Sequence, residues 1–326
     1  MTSHRTSDSA DPSRPLLSDL DEDELLRQIL PGLPSGPAVL LGPGDDTALV
    51  EVRRGAVLAT TDAMVRGRDW LDEWSTADDV GRKLVAQNAA DIAAMGGRTT
   101  ALLVTLAADP ATPVAWVREM TAGLAAASRE AGIAVVGGDL SSAPEGTLMI
   151  SITALGDVDS DPVLRSGARP GDVLAVHGTL GWSAAGLLLL QRDSADRGPD
   201  QVSYHRRPRP SYEQGPLAAS AGATAMLDIS DGLVRDAGRI AAASEVQLAV
   251  DSALLRDDIE LLAPIVGAED ARACVLTGGE EHSLLACFPS LQLPQGWRAI
   301  GAVRAGAGVT VDGRPATGGG WDHFKD

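Results

Sequence analysis

Lysine is almost missing from these 326 residues: only Lys83 and Lys325 occur. A phosphate-binding loop of the GxxxxGK[ST] kind, whose lysine must reach the nucleotide phosphates, is therefore excluded. Aromatic residues are scarce at 3%, so Val, Leu, Ile and Ala must build most of the core. Cysteine is limited to Cys274 and Cys287, with no CxxC, which reads as two small buried hydrophobes in a reducing compartment. The five histidines (His4, His177, His205, His282, His323) are scattered, so no HExxH zinc site exists, and no GxSxG nucleophile elbow occurs. Long apolar runs are missing too. The most continuous, Ala184 to Leu190, is far short of the ~18 residues of a spanning helix. The polar stretch Met1 to Asp19 has no apolar region of the signal-peptide kind. The expectation is a soluble, cytoplasmic protein.

What is present is an ordinary globular balance, 44% hydrophobic and 22% charged, in a length that suits about two domains. The formal charge is −18, from 45 acidic against 27 basic side chains. A field of that sign repels nucleic acid and anionic membrane, so neither is an expected partner. It also repels phosphorylated metabolites unless cations intervene.

Residues 1–18, rich in Ser, Asp and Pro, read as a disordered tail. A short helix is expected from Ser18 to Leu30, stopped by Pro31-Gly32. Apolar runs suited to strands then alternate with helical patterns, the mark of an α/β (or α+β) architecture. Strands are expected at 38–41, 57–61, 102–106, 134–136 and 148–155, and helices at 77–95 and 113–131. The Gly, Pro and Asp density of 156–172 marks a boundary. The reading is an N-terminal domain over 19–157, a mixed sheet with helices, and a C-terminal α/β domain over 158–326. In the second domain, strands are expected at 173–176, 225–227, 247–250, 284–287 and 299–303, and helices at 183–191 and 233–243. A polar linker is expected up to Pro216, and Asp312-Gly313 reads as a hairpin turn.

Four apolar strands each deliver a carboxylate: 38–41 leads to Asp45-Asp46, 57–61 to Asp62, 134–136 through Gly137-Gly138 to Asp139, and 225–227 to Asp228, followed by Ser230 and Asp231. The C-terminal ends of strands are where α/β folds place their ligand crevices. A single aspartate there is ordinarily a turn former or helix cap; four together point to a shared site. In helix 77–95 the 3.6 period puts Leu84, Asn88, Asp91 and Met95 on one stripe. A carboxylate on an otherwise apolar face must be protonated, paired or metal-bound. Clustered carboxylates without His or Cys suit a hard ion, Mg²⁺ or Mn²⁺, which completes its shell with water and substrate phosphates. An acidic protein can hold a nucleotide this way, and phosphoryl transfer is the chemistry indicated.

Eight segments, in order, resemble the thiamine-monophosphate kinase family of the aminoimidazole-ribotide-synthetase-like superfamily: GDDTALV (44–50), TTDAMVRGRDW (60–70), GRKLVAQNAADIAAMGG (81–97), VGGDL (136–140), LRSGARPGD (164–172), LDISDGLVRD (227–236), LTGGEEHSLL (276–285) and GWDHF (320–324). The resemblance implies a two-domain subunit of that superfamily's fold, dimerising through its N-terminal sheet. The implied reaction is ATP-dependent phosphorylation of thiamine monophosphate to thiamine diphosphate. It further implies that Asp46, Thr61, Asp62, Asp91, Asp139, Asp228 and Asp231 fall on positions for several Mg²⁺ ions, with Thr60 beside them. Gly138, Asp139, Arg165 and Ser230 fall on ATP-contacting positions, and Glu280 and Trp321 where the thiamine moiety is held. The family commonly carries His-Phe where this chain has Asp69-Trp70, and Asp-Tyr where it has Glu281-His282. Asp69 thus enters the acceptor pocket in place of a His, and none of these departures is expected to touch the carboxylate cluster. A sibling enzyme with another acceptor, or a non-catalytic ATP- or thiamine-phosphate-binding module, stay as alternative readings.

Overall fold

The computed structural model describes residues 15–43 and 47–316. Asp46 and Trp321, and most of the expected tail, lie outside them. Residues 15–18 are ordered: the Leu17 N–H donates to the Thr112 carbonyl and the Val114 N–H to that of Pro15. Helix α1 (Glu22–Ile29) is capped by Asp21, whose side chain accepts the Glu24 N–H at 2.7 Å.

A small hairpin, β1 (Val39–Leu41) with β2 (Leu49–Val50), precedes β3 (Leu58–Val65). Helix α2 (Ala77–Ala94), β4 (Arg98–Ala108), α3 (Val114–Ala131), β5 (Ala134–Ser142) and β6 (Leu148–Asp157) follow. The strands form a mixed sheet ordered β3-β6-β4-β5, with β4 and β5 parallel across the α3 crossover. Along β6, Leu148, Ile150, Ile152 and Ala154 are buried under the helices, while Ser151 and Thr153 point to the other, open face. This is the period-2 alternation of a half-covered strand.

Both helices pack closely because two glycines let them. A Cβ on Gly81 would run into the Met120 carbonyl, and one on Gly123 into that of Asp78. Helix α2 opens with a capping box, in which Thr76 accepts the Asp79 N–H at 3.2 Å and Asp79 accepts the Thr76 N–H at 2.9 Å.

The second sheet is built from β7 (Val173–His177), β8 (Ala225–Asp228), β9 (Gln247–Val250), β10 (Leu284–Phe288), β11 (Arg298–Arg304), β12 (Gly308–Val311) and β13 (Arg314–Pro315). Their order is β13-β12-β9-β11-β7-β10-β8, mixed through a parallel β12–β9 pair. Asp312 and Gly313 turn the last hairpin with φ of 52° and 74°, as Asp-Gly predicts. Helices α4 (Trp182–Gln191), α7 (Leu233–Ser244), α8 (Arg256–Val266) and α9 (Ala268–Thr277) cover one face. Helix α6 (Gln214–Ser220) and the end of α2 cover the other, through Ala94, Ala218, Met226, Ala286 and Phe288. Burial on both faces explains why these strands read as continuous apolar runs. The expected polar linker contains helix α5 (Pro199–Arg206), and α8 and α9 lie where the sequence pattern predicts no helix. Helices α5 and α9 are short and carry little apolar periodicity, whereas α8 has Ile259, Leu262, Ala263 and Val266 at helical spacing but is interrupted by Pro264. Both cysteines are free and buried, and burial pushes their thiols up to about 11 at Cys274 and about 12 at Cys287. Among the described residues, no helix is long and apolar enough to cross a membrane.

Candidate active site

Helix α2 supplies the first half of the site, and the stripe read from its spacing is the one that meets β3. Asn88 is fully buried and used twice: its Nδ2 donates to the Leu84 carbonyl at 2.9 Å, and its Oδ1 accepts the Asp62 N–H at 3.1 Å. That second bond satisfies a donor on the free edge of β3. One turn on, the Asp91 carboxylate accepts the Thr60 hydroxyl at 2.7 Å. Strand alternation aims Thr60, Asp62 and Met64 at α2.

The other half comes from the second sheet. Asp228 closes β8 on the same side as Met226, the face turned to α2, and is buried. The buried His282 Nδ1 lies 3.1 Å from its Oδ2. His282 belongs to the loop 278–283, whose backbone is pinned to the β8–α7 turn by Glu280 N–H to the Ser230 carbonyl (2.7 Å) and His282 N–H to the Ile229 carbonyl (2.8 Å). In that turn the buried Asp236 accepts the N–H groups of Asp231 and Gly232 at 2.9 and 3.0 Å.

Electrostatics follow from this crowding. Burial, then the negative charges of Asp228 and Asp62, push the Asp91 carboxyl up to about 7, against the pull of the Thr60 hydroxyl and His282. Burial opposes charge on His282, yet the Asp228 carboxylate outweighs it and raises the imidazole pKa. Asp228 and Asp91 act on the one imidazole and Asp62 adds its charge at Asp91, so negative charge is in excess there, and the donors are hard oxygens. The set therefore fits a divalent ion such as Mg²⁺. Among the described residues, no group of three or more His, Cys, Asp and Glu side chains forms a ready-made metal shell.

The expected residues divide. Thr60, Asp62, Asp91 and Asp228 come together. Asp62 and Asp139 lie inside β3 and β5, which run past the strand ends expected from the sequence. Thr61 faces away from α2: its hydroxyl donates to the Ile152 carbonyl and lies 3.4 Å from the Ser151 and Thr153 hydroxyls on the open face. Asp139, opposite Thr105 in the register, is exposed and accepts the Ser141 hydroxyl at 2.8 Å. Asp231 is bound by Arg239, with Arg235 at 3.7 Å. The exposed Arg165 anchors its loop through its carbonyl, which accepts the Ser244 hydroxyl at 2.7 Å. Gly138 sits where a Cβ would strike the Val104 carbonyl, so a close strand approach demands glycine there.

On the acceptor side, Asp69 is turned onto its own loop, accepting the Val65 N–H at 2.7 Å. Glu280 is half-buried against Lys83, whose Nζ is 2.5 Å from Oε1, and Lys83 holds the Glu280 carboxyl below its ordinary range against burial. Glu281 is a helix cap: fully buried, it accepts the Thr179 hydroxyl (2.6 Å) and the α4 N–H groups of Trp182 (3.2 Å) and Ser183 (3.0 Å). The expectation that residue 282 stands clear of the carboxylates fails, because the left-handed backbone at Glu280 and His282 (φ 58° and 55°) turns the imidazole onto Asp228. Asn88, Lys83, Asp236 and His282 are the participants missed from sequence. Asn88 alone had a signal, as the second polar member of the α2 stripe.

Residues 44–158 match the family described as AIR synthase related protein, N-terminal domain, and residues 169–314 its C-terminal domain. The chain is 44% identical over 318 residues to a thiamine-monophosphate kinase of Mycobacterium tuberculosis, covering 96% of this chain and 94% of that protein. Among solved structures, it matches AaThiL complexed with AMPPCP and TMP at 32% identity and a TM-score of 0.78, over 86% of this chain and 91% of that one. It matches a thiamine-monophosphate kinase from Stenotrophomonas maltophilia K279a at 31% identity and a TM-score of 0.76, over 90% and 96%.

Proposed function

The chain belongs to the thiamine-monophosphate kinase family, and we propose that it transfers the terminal phosphoryl group of ATP to thiamine monophosphate, giving thiamine diphosphate. The observation that carries this reading is the meeting of Asp62 and Asp91 from one sheet-and-helix unit with Asp228 from the other, at charge densities that call for a cation.

The acceptor oxygen needs no general base, since a phosphate monoester with a second pKa of ~6 is already ionised near neutrality. The barrier is the approach of two anions. When bound, Mg²⁺ would supply the positive charge that screens this repulsion. The residues of the chain then have separable tasks. Asp62, Asp91 and Asp228 would hold the ions, Thr60 fixes the Asp91 carboxylate, and His282 fixes Asp228. Ser230, with Asp231 beside it, borders the nucleotide in a turn braced by Asp236, and Arg165 brings positive charge to the ATP phosphates. The family resemblance assigns Asp46, outside the described residues, to the ion-binding set, and Trp321, also outside them, and Glu280 to the side that holds the thiamine moiety.

Thr61, Gly138 and Asp139 work from the open sheet face. That face exposes Leu103 beside Thr105, which supports a homodimer covering it. The division into 19–157 and 158–326 belongs to the same reading, with the last strand of the first sheet ending at Asp157 and the second sheet starting at Val173.

The test is direct: purified chain, ATP, Mg²⁺ and thiamine monophosphate, with thiamine diphosphate followed by chromatography. Nucleotide binding without product would replace the kinase by a binding module. Product from a different acceptor alone would replace it by a sibling enzyme.

A further inference from the structure

Lys83 is the only lysine among the described residues and is buried, at 4% exposure, on the first turns of α2. A lysine in such a place keeps its charge only if a partner holds it. That partner is Glu280, at 2.5 Å, on the loop 278–283 of the other sheet unit. His205 of α5 lies 3.4 Å from the second Glu280 oxygen and 3.1 Å from the Ser183 hydroxyl. Burial and the nearby Lys83 push His205 down to about 4, so it is neutral near neutral pH, and Lys83 is the cation in direct contact with Glu280. The loop's remaining anchors come from its own unit. The α4 N-terminus holds the Glu281 carboxylate, the Tyr204 hydroxyl donates to the Glu281 carbonyl (3.1 Å), and the backbone bonds run to Ile229 and Ser230. Lys83 and Asp91 stand eight residues apart on α2, about 12 Å along its axis at 1.5 Å per residue. The loop thus meets the same helix through Glu280 at Lys83, while its His282 grips Asp228 close to Asp91.

We infer that Lys83 is a positioning residue: its ion pair with Glu280 sets the left-handed loop so that His282 holds Asp228 against the α2 carboxylate, coupling the two halves of the site. This rests on the kinase reading for its catalytic consequence, but not for its structural one. Two measurements separate them. In Lys83→Met, hydrogen exchange at the Glu280 and His282 amides is expected to speed at least tenfold, while the α2 amides around Asn88 keep their protection. This readout needs no activity, so it stands even if the wild type proves not to be a kinase.

If the wild type turns over, kcat of Lys83→Met should fall at least tenfold. Lys83→Arg should recover part of it, and Lys83→Met/Glu280→Gln should be no worse than the poorer single variant. Unchanged loop exchange in a folded Lys83→Met protein overturns the inference, as do multiplicative kcat losses in the double variant. If Lys83→Met does not fold, Lys83→Arg carries the exchange test alone, with a threefold or larger speeding expected and none overturning the idea.

Discussion

Asp91→Asn separates stability from function in opposite directions. With a pKa of about 7 in the fold against an ordinary 3.8, Asp91 ionises only at the expense of the folded state. Each tenfold step in that ratio is worth about 1.4 kcal/mol, so the full penalty approaches about 4 kcal/mol as an upper bound. Asp91 behaves as any acid whose folded pKa is raised. Below 3.8 the group is protonated in both states and nothing is lost. Stability then drains as pH rises from about 4 to about 7, and the loss stays at its full value above that. An asparagine carries no charge, and its Oδ1 can still accept the Thr60 hydroxyl. Metal-free Asp91→Asn should therefore be more stable than the wild type at pH 8, by about 1–4 kcal/mol once solvent screening is allowed for. The two should converge near pH 4. Urea denaturation with EDTA at pH 4.5, 6 and 8 measures this difference. Adding Mg²⁺ and ATP should reverse the order, stabilising the wild type far more than the variant, and turnover of the variant should drop at least a hundredfold. A variant less stable than wild type in EDTA at pH 8, or one that keeps normal turnover, would refute the charge-crowding argument.

Two further outcomes concern what holds the site in place. Glu281→Ala strands two α4 N–H groups and the Thr179 hydroxyl in a buried position, and should lose about 2–4 kcal/mol in chemical denaturation; a loss under 0.5 kcal/mol would remove its capping role. Gly123→Ala forces α3 away from the Asp78 backbone at the α2 crossing, and should destabilise by about 1–3 kcal/mol or more with a lower melting temperature; an unchanged melting temperature would mean the helices can part without loss.

Sequence reasoning reached the carboxylates because they obey local rules. The α2 stripe is a matter of 3.6-residue spacing, and a polar pair on an apolar face is visible in the order of residues alone. The strands were legible for a similar reason: burial on both faces leaves continuous runs such as 284–288 in the second sheet, and one-sided burial leaves alternation such as 148–155 in the first. The family motifs added residue roles that spacing alone does not contain.

Neighbouring residues on one strand show what the sequence could not supply. Thr60 and Thr61 are chemically alike and adjacent, yet one hydroxyl meets Asp91 and the other the open sheet face, because register decides which face each takes. His282 and Glu281 likewise read, in the sequence, as specificity changes in a loop. Their tasks, gripping Asp228 and capping α4, arise from a left-handed backbone and from helices far away in the chain. Composition and periodicity thus determined which groups are present and how each lies on its own element. Which of them meet was decided only when α2 packed between the two sheets, since those contacts join residues 26 (Asp62–Asn88), 31 (Thr60–Asp91) and 54 (Asp228–His282) positions apart, on separate elements where no local pattern reaches.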